Sequence, residues 1–276
     1  MALKLMYITN HPEVAKIAQS AGVDRIFVDL ETIGKQERQG GMDTVQSKHS
    51  IDDIVAIKKV LVASKLLVRS NPIHGNSKEE IDNIVKNGAD IIMLPFFKTM
   101  EEVEKFVDFV GGRAKTCLLA ETPESVEILD EILETQDVDE IYIGLNDLHL
   151  GYGKKFMFEL LADGTVEKMA EKINQSGKPF GFGGVSYIGG GTLSAERIIT
   201  EHYRLGSRSV ILSRSFCNAE KEGIEAARKI FPTEVKKIRE FEKSLSDFCE
   251  KDYENNKIQV KNAVTEIVKR LNERDE

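Results

Sequence analysis

Two short apolar runs of this chain end in carboxylates. Thr116-Cys117-Leu118-Leu119-Ala120 leads to Glu121, and Glu140-Ile141-Tyr142-Ile143-Gly144-Leu145-Asn146 leads to Asp147. Both runs read as buried strands bounded by turn residues. Pro123 to Thr135 between them carries helical spacing at Val126, Leu129, Ile132 and Leu133. In a strand–helix–strand unit with parallel strands, both strand ends reach the same sheet edge. Glu121 and Asp147 are therefore expected side by side. Two hard oxygen donors with no basic neighbour in sequence suit Mg²⁺ or Mn²⁺. Each acid alone also fits plain helix punctuation, as an N-cap or a first-turn acid.

Other strand-like runs end in charge as well. Arg25-Ile26-Phe27-Val28 leads to Asp29 and Glu31, and Leu66-Leu67-Val68 leads to Arg69. A cation at the end of an apolar strand is costly unless it meets an anion. A salt bridge from Arg69 to Asp29 or Glu31 is its structural role. A guanidinium so held still has donors for a carboxylate or enolate oxygen. The chemistry expected is metal-assisted enolate formation. The ion chelates a 2-oxo acid through its keto and carboxylate oxygens, and ion and Arg69 stabilise the enolate when a carbon–carbon bond breaks or forms. No serine–histidine–acid order or P-loop offers a rival.

The elements that must position these groups alternate from end to end. Strands are predicted over Lys4–Thr9, Asp24–Leu30, Lys65–Arg69, Ala89–Leu94, Thr116–Glu121, Glu140–Asp147, Phe180–Gly184 and Ser209–Leu212, with helices between them. Thr99 is the expected N-cap of one helix. About eight strand–helix units in this length are the pattern of an α/β protein built as a (β/α)₈ TIM barrel. A doubly wound sheet is the alternative, but Thr9-Asn10-His11-Pro12 lacks its glycine-rich first turn. The barrel core is assigned to residues 1–218. Residues 219–276 form extra C-terminal helices that pack on the barrel or on a neighbouring subunit. Thr32 to Ser50 is a long polar loop of the kind that is functional or disordered.

In a barrel the active site is built at the C-terminal strand ends. Those ends bring Asp29, Glu31, Arg69, Pro95, Glu121, Asp147, Gly183-Gly184 and Ser213-Arg214 to one mouth. The glycine-rich run Gly189-Gly190-Gly191, with Ser213-Arg214-Ser215, fits the place where barrels bind phosphate. It fits equally a flexible loop with a structural arginine. The corresponding expectation is a substrate that is phosphorylated or derived from a sugar.

Composition limits the classes. The 276 residues hold 30% charged and 41% hydrophobic side chains and carry a net charge of −8, so nucleic acid is not an expected partner. No apolar run reaches the length of a membrane span. The N-terminal residues show no signal-peptide core. Cys117, Cys217 and Cys249 have no ligand or disulfide spacing and read as buried thiols of a cytoplasmic protein.

At these strand ends the chain resembles the HpcH/HpaI aldolase/citrate lyase family, within the phosphoenolpyruvate/pyruvate-binding barrels. Phe27-Val28-Asp29-Leu30-Glu31 is similar to the Asp-Leu-Glu segment of its citrate lyase branch, and Leu67-Val68-Arg69-Ser70-Asn71 to its Val-Arg-Ile-Asn. Ala89 to Pro95, then Lys98-Thr99 and Glu102, resembles the strand lining its pocket. Glu121-Thr122 resembles the segment of its first metal ligand, and Gly144-Leu145-Asn146-Asp147-Leu148 that of its second. The resemblance implies Mg²⁺ or Mn²⁺ on Glu121 and Asp147, and Arg69 on the oxo-acid end of the substrate. It implies backbone amides of Leu145, Asn146 and Asp147 for the carboxylate, and homo-oligomers, commonly trimers or hexamers. Where the aldolase branch places an acid–histidine base, this chain has Glu31-Thr32, so that base does not carry over. His49 is the candidate to replace it, against the plainer reading of a solvated loop histidine.

The candidate catalytic residues are thus Arg69, Glu31, Asp29 and His49. The candidate substrate-binding residues are Arg69, Leu145, Asn146, Asp147, Pro95 and Arg214. The expected function is a divalent-metal-dependent carbon–carbon lyase or aldolase using the enolate of pyruvate or a related 2-oxo acid. The alternatives are a phosphoenolpyruvate- or oxaloacetate-handling enzyme, or an inactive barrel acting as a binding or assembly subunit.

Overall fold

A computed structural model of the chain describes residues 2–34 and 49–275. Of the long loop predicted over 32–50, residues 35–48, with Gly40 and Gly41, lie outside the described residues. Eight parallel strands close in sequence order into a barrel. They are β1 (Lys4–Ile8), β2 (Arg25–Asp29), β3 (Lys65–Arg69), β4 (Ile91–Leu94), β5 (Lys115–Ala120), β6 (Glu140–Ile143), β7 (Phe180–Val185) and β8 (Ser209–Leu212). The described helices are α1 (Pro12–Ser20), α2 (Ile51–Lys58), α3 (Ser77–Lys86), α4 (Met100–Val110), α5 (Pro123–Glu127), α6 (Leu129–Glu134), α7 (Leu145–Gly151), α8 (Glu159–Ala162), α9 (Thr165–Ser176), α10 (Ala195–Leu205), α11 (Ala219–Glu222), α12 (Ile224–Ser244) and α13 (Glu250–Asp275).

Alternation along each strand sorts the side chains into two layers. Met6, Phe27, Leu67, Ile91, Met93, Cys117, Leu119 and Tyr142 fill the barrel interior as one cluster. Their neighbours, such as Ile26, Val28, Leu66, Val68, Ile92 and Leu118, point outward into the layer shared with the helices. On β2 the inward positions are Arg25, Phe27 and Asp29, and β3 pairs with β2 so that Asp29 stands opposite Arg69. The register thus delivers one acid and one cation to adjacent inward positions at the mouth. Phe27 is 1% exposed. Its truncation to Ala is expected to cost about 3–5 kcal/mol.

The helix ends follow local chemistry. Thr99 Oγ1 accepts the Glu102 N–H and Glu102 answers to the Thr99 N–H, so the expected N-cap closes a capping box on α4. Thr122 does the same for α5 with Ser125. Cys117 and Cys217 are buried as expected, whereas Cys249 is exposed between the last two helices. That departs from the expectation of three buried thiols, because residues 245–249 are a break between helices rather than part of one.

The C-terminal region is helical with breaks at Gly223 and at 245–249. α12 buries Phe231, Val235 and Ile238 and packs beside α1, in the place of the helix that follows β8. Glu242 Oε1 accepts the Leu3 N–H at 2.7 Å, and Arg239 bridges Glu242 and Asp24, which fastens α12 to the start of the chain. α13 lies further out and packs on α8 and α10. No helix among the described residues is long and apolar enough to cross a membrane.

Candidate active site

A cavity of about 340 Å³ opens at the C-terminal ends of the strands. Asp29, Arg69, Glu121, Asn146, Asp147 and Arg214 all line it. The strand ends therefore converge as the barrel requires.

Arg69 is the best-defined of these groups. Its Nε and Nη2 donate to the two oxygens of Asp29, each at 2.8 Å, and Nη2 lies 3.3 Å from Glu31 Oε2. The Glu31 N–H in turn donates to Asp29 Oδ1. The guanidinium carbon lies 5.6 Å from the centre of the Phe27 ring. Burial alone would make the cation easier to deprotonate, but Asp29, Glu31 and, further off, Glu121 hold its proton more tightly than usual. Nη1 has no partner among the described residues, so one edge of the fork remains for a ligand in the cavity. Glu31 is buried behind this pair and does not line the cavity.

Glu121 and Asp147 are 4% and 8% exposed. Thr122, not Glu121, caps α5, so the punctuation reading of Glu121 does not describe its role. Instead Glu121 Oε1 accepts the Phe96 N–H at 3.0 Å. Phe96 adopts a φ of 49°, the left-handed region a non-glycine residue rarely occupies. Asp147 lies in the first turn of α7, as the plainer reading also allowed, and it faces the cavity as well. Gly144 lets the start of α7 approach Glu121 closely. A Cβ on Gly144 would stand 2.7 Å from the Glu121 Cβ and 2.9 Å from its Oε2, so only glycine lets the start of α7 press on Glu121. The Leu145 and Asn146 N–H groups open α7 with no partner among the described residues, at the cavity wall.

The remaining predicted positions divide. Arg214 and Ser213 line the cavity, as do Gly183 and Gly184, but Gly189, Gly190 and Gly191 do not. Pro95 is buried outside the lining, and Met93 lines the cavity there instead. His49 is half-buried and Nδ1 accepts the Asp29 N–H at 2.9 Å, so it is attached to the end of β2 rather than solvated. A neutral imidazole that accepts at Nδ1 carries its hydrogen at Nε2. In this arrangement His49 has its Nδ1 taken up by a backbone N–H. It does not line the cavity.

Several lining groups escaped the sequence reading. Tyr142 is two residues beyond Glu140 on an inward-facing alternation, which is a usable signal. Cys217 and Asn218 come from the loop after β8, and Glu220 from α11. That loop is fastened by Tyr7, whose hydroxyl donates to the Cys217 carbonyl, and by Ser186, whose hydroxyl donates to the Ser215 carbonyl. No spacing in the sequence announces these contacts. Burial pushes the Cys217 thiol up to about 11, so it stays protonated and is a wall rather than a nucleophile.

Among the described residues no three His, Cys, Asp or Glu side chains cluster as a metal cage. Two buried carboxylates on one cavity nevertheless match the habit of Mg²⁺, which takes one or two carboxylates and leaves its other positions to water and substrate.

A model of one protein family matches residues 4–201, which hold Asp29, Arg69, Glu121 and Asp147 but not the groups that follow β8. The chain belongs to the HpcH/HpaI aldolase/citrate lyase family. Solved structures agree on the fold. An HpcH/HpaI aldolase/citrate lyase family protein from Burkholderia cenocepacia J2315 is 15% identical with a TM-score of 0.60, covering 82% of this chain and 95% of its own. An HpcH/HpaI aldolase from Desulfitobacterium hafniense DCB-2 is 15% identical with a TM-score of 0.58, over 82% and 93%. Citrate synthase SbnG is 15% identical with a TM-score of 0.60, over 80% and 90%. No curated protein matches the chain by sequence. The family is one of aldolases and lyases, and the chain has a closed eight-stranded barrel.

Proposed function

We propose that this protein is a divalent-metal-dependent carbon–carbon lyase or aldolase that forms or uses the enolate of pyruvate or a related 2-oxo acid. The observation that carries the reading is the shared cavity of Glu121, Asp147 and an Arg69 already held by two carboxylates. Glu121 and Asp147 would hold Mg²⁺ or Mn²⁺. Such an ion supplies a Lewis acid that polarises the keto oxygen.

The chain's own groups do the rest. The Leu145 and Asn146 N–H groups receive the carboxylate of the oxo acid. Arg69 Nη1 donates to the oxygen on which negative charge grows. Because Asp29 and Glu31 fix the guanidinium beforehand, it need not reorganise as the charge develops. In the cleavage direction the bond between C3 and the carbinol carbon breaks, its electron pair stays on the oxo acid as enolate, and the carbinol proton leaves with a base. The apolar floor of Leu119, Met93 and Ile211 keeps water from the enolate carbon.

Arg214 at the rim suits a substrate that is phosphorylated or derived from a sugar acid. For such a substrate Arg214→Ala should raise KM without lowering kcat in proportion. Trimers or hexamers are the assembly this reading expects. The test is calorimetry with Mn²⁺ and pyruvate on wild type and Asp147→Ala. The reading requires that wild type bind Mn²⁺, that pyruvate bind only with the ion present, and that the variant do neither. Wild-type protein that binds neither ligand contradicts it.

A further inference from the structure

The cavity wall at β7 is a broken ladder. Gly181 pairs with Ser209 and Gly184 with Ile211, so three steps on β7 oppose two on β8, which is a bulge of one residue. Such a bulge strands backbone groups in the barrel interior, where each unsatisfied group is costly. Tyr142 of β6 reaches across and takes them up. Its hydroxyl donates to the Gly183 carbonyl at 2.6 Å and accepts the Ile211 N–H at 3.0 Å. Its ring lies against Gly181, where a Cβ would come within 2.6 Å of Cε2. Ser209 and Tyr142 together leave no room for a side chain at Gly181.

This hydroxyl is committed. Its proton is given to one carbonyl and its lone pair to one amide, and burial pushes its ionisation well above the usual tyrosine range. It is no acid or base for a substrate. Its influence runs through the bulge. Gly183 holds a φ of 55° and packs on Leu145, where a Cβ would stand 2.9 Å from Cδ1. Leu145 opens α7, and Asp147 follows two residues later.

We propose that Tyr142 is a positioning residue, which pins the β7–β8 bulge and, through Gly183 and Leu145, sets where Asp147 stands against Glu121. The inference rests on the reading above that these two acids bind a divalent ion.

The test is Mn²⁺ calorimetry on wild type, Tyr142→Phe, Gly183→Ala and Tyr203→Phe, each with its thermal midpoint. Tyr203→Phe is the control, because it also removes a buried hydroxyl contact, at 3.0 Å to Glu242, but far from the mouth. Gly183→Ala perturbs the same bulge from its other side, so the question survives if Tyr142→Phe folds poorly. Tyr142→Phe and Gly183→Ala should weaken Mn²⁺ by about tenfold or more, the range of groups that orient metal ligands. Tyr203→Phe should keep wild-type affinity at a similar loss of midpoint. A folded Tyr142→Phe that binds Mn²⁺ as wild type does overturns the inference alone, as does an equal loss in Tyr203→Phe. Wild-type protein that takes up no Mn²⁺ overturns the metal reading beneath it as well.

Discussion

Two arginines stand at opposite ends of one barrel, and their partners differ. At the floor Arg25 donates from Nη1 and Nη2 to the two oxygens of Glu140 at 2.6 and 2.8 Å. The pair is one cation to one anion, with Cys117 and Met6 beside it. At the mouth Arg69 serves Asp29 and Glu31 together, with the charge of Glu121 also in range. The floor pair is neutral and closed, with side chains 6% and 10% exposed. The mouth group borders a cavity, and among the described residues Nη1 of Arg69 has no partner. A pair that only joins strands is balanced.

The comparison can be broken by substitutions at each end. The largest effect should come from Asp147→Ala, which is expected to cost turnover on the order of a thousandfold or more while the fold persists. Arg69→Met should follow, with a loss of about a hundredfold to a thousandfold, as for removal of one preorganised donor. Steady-state kinetics beside circular dichroism checks both. At the floor the pattern should invert. Arg25→Met leaves Glu140 buried and alone, and should cost about 3–5 kcal/mol in urea unfolding with turnover retained. The double variant Arg25→Met/Glu140→Met should recover most of that stability. If it does not, the floor pair is more than a strand clamp.

A third buried group has no counter-ion and sharpens the same contrast. His202 is stacked on Phe182 at 3.7 Å and bonded through Nδ1 to Ser207, and burial pulls its pKa down to about 3 from an ordinary 6.5. The folded state therefore refuses a proton that the unfolded chain accepts. Stability contributed this way is full above 6.5 and falls as pH drops from there towards 3, by about 1.4 kcal/mol per unit. Urea unfolding between pH 7 and 5 should show that slope, and His202→Leu should flatten it. The smallest effect belongs to Thr99→Ala. Thr99 sits on the mouth side but touches only its own helix, so about 1 kcal/mol of stability should be lost with no change in turnover.

Much of this was legible in the chain. Apolar runs that lead into a charged residue mark strand ends, and a barrel gathers its strand ends. Asp29, Arg69, Glu121 and Asp147 could therefore be named together before any coordinates. The strand edges were also close, because apolar runs and their turn residues are local signals. What was missed depends on closure. Tyr142 acts on β7 and β8, so its role exists only once the ladder slips at Gly183. The loop after β8 enters the cavity because Tyr7 and Ser186 hold its backbone. The glycines at 189–191 looked like a phosphate cradle in sequence, yet they lie outside the cavity lining. His49 shows the same limit, since nothing local says that its ring accepts the Asp29 N–H.

The most direct measurement is the decarboxylation of oxaloacetate. Losing CO₂ breaks one carbon–carbon bond and leaves its electron pair on pyruvate as the enolate, so the step needs enolate stabilisation and no protein base. The rate should be measured with Mg²⁺ for wild type, Asp147→Ala and Arg69→Met, each against the ion alone. The account predicts that wild type exceeds the ion by orders of magnitude, and that both variants fall towards that blank. A wild-type rate no greater than the ion alone, or an Asp147→Ala rate equal to wild type, would contradict an enolate site at this mouth.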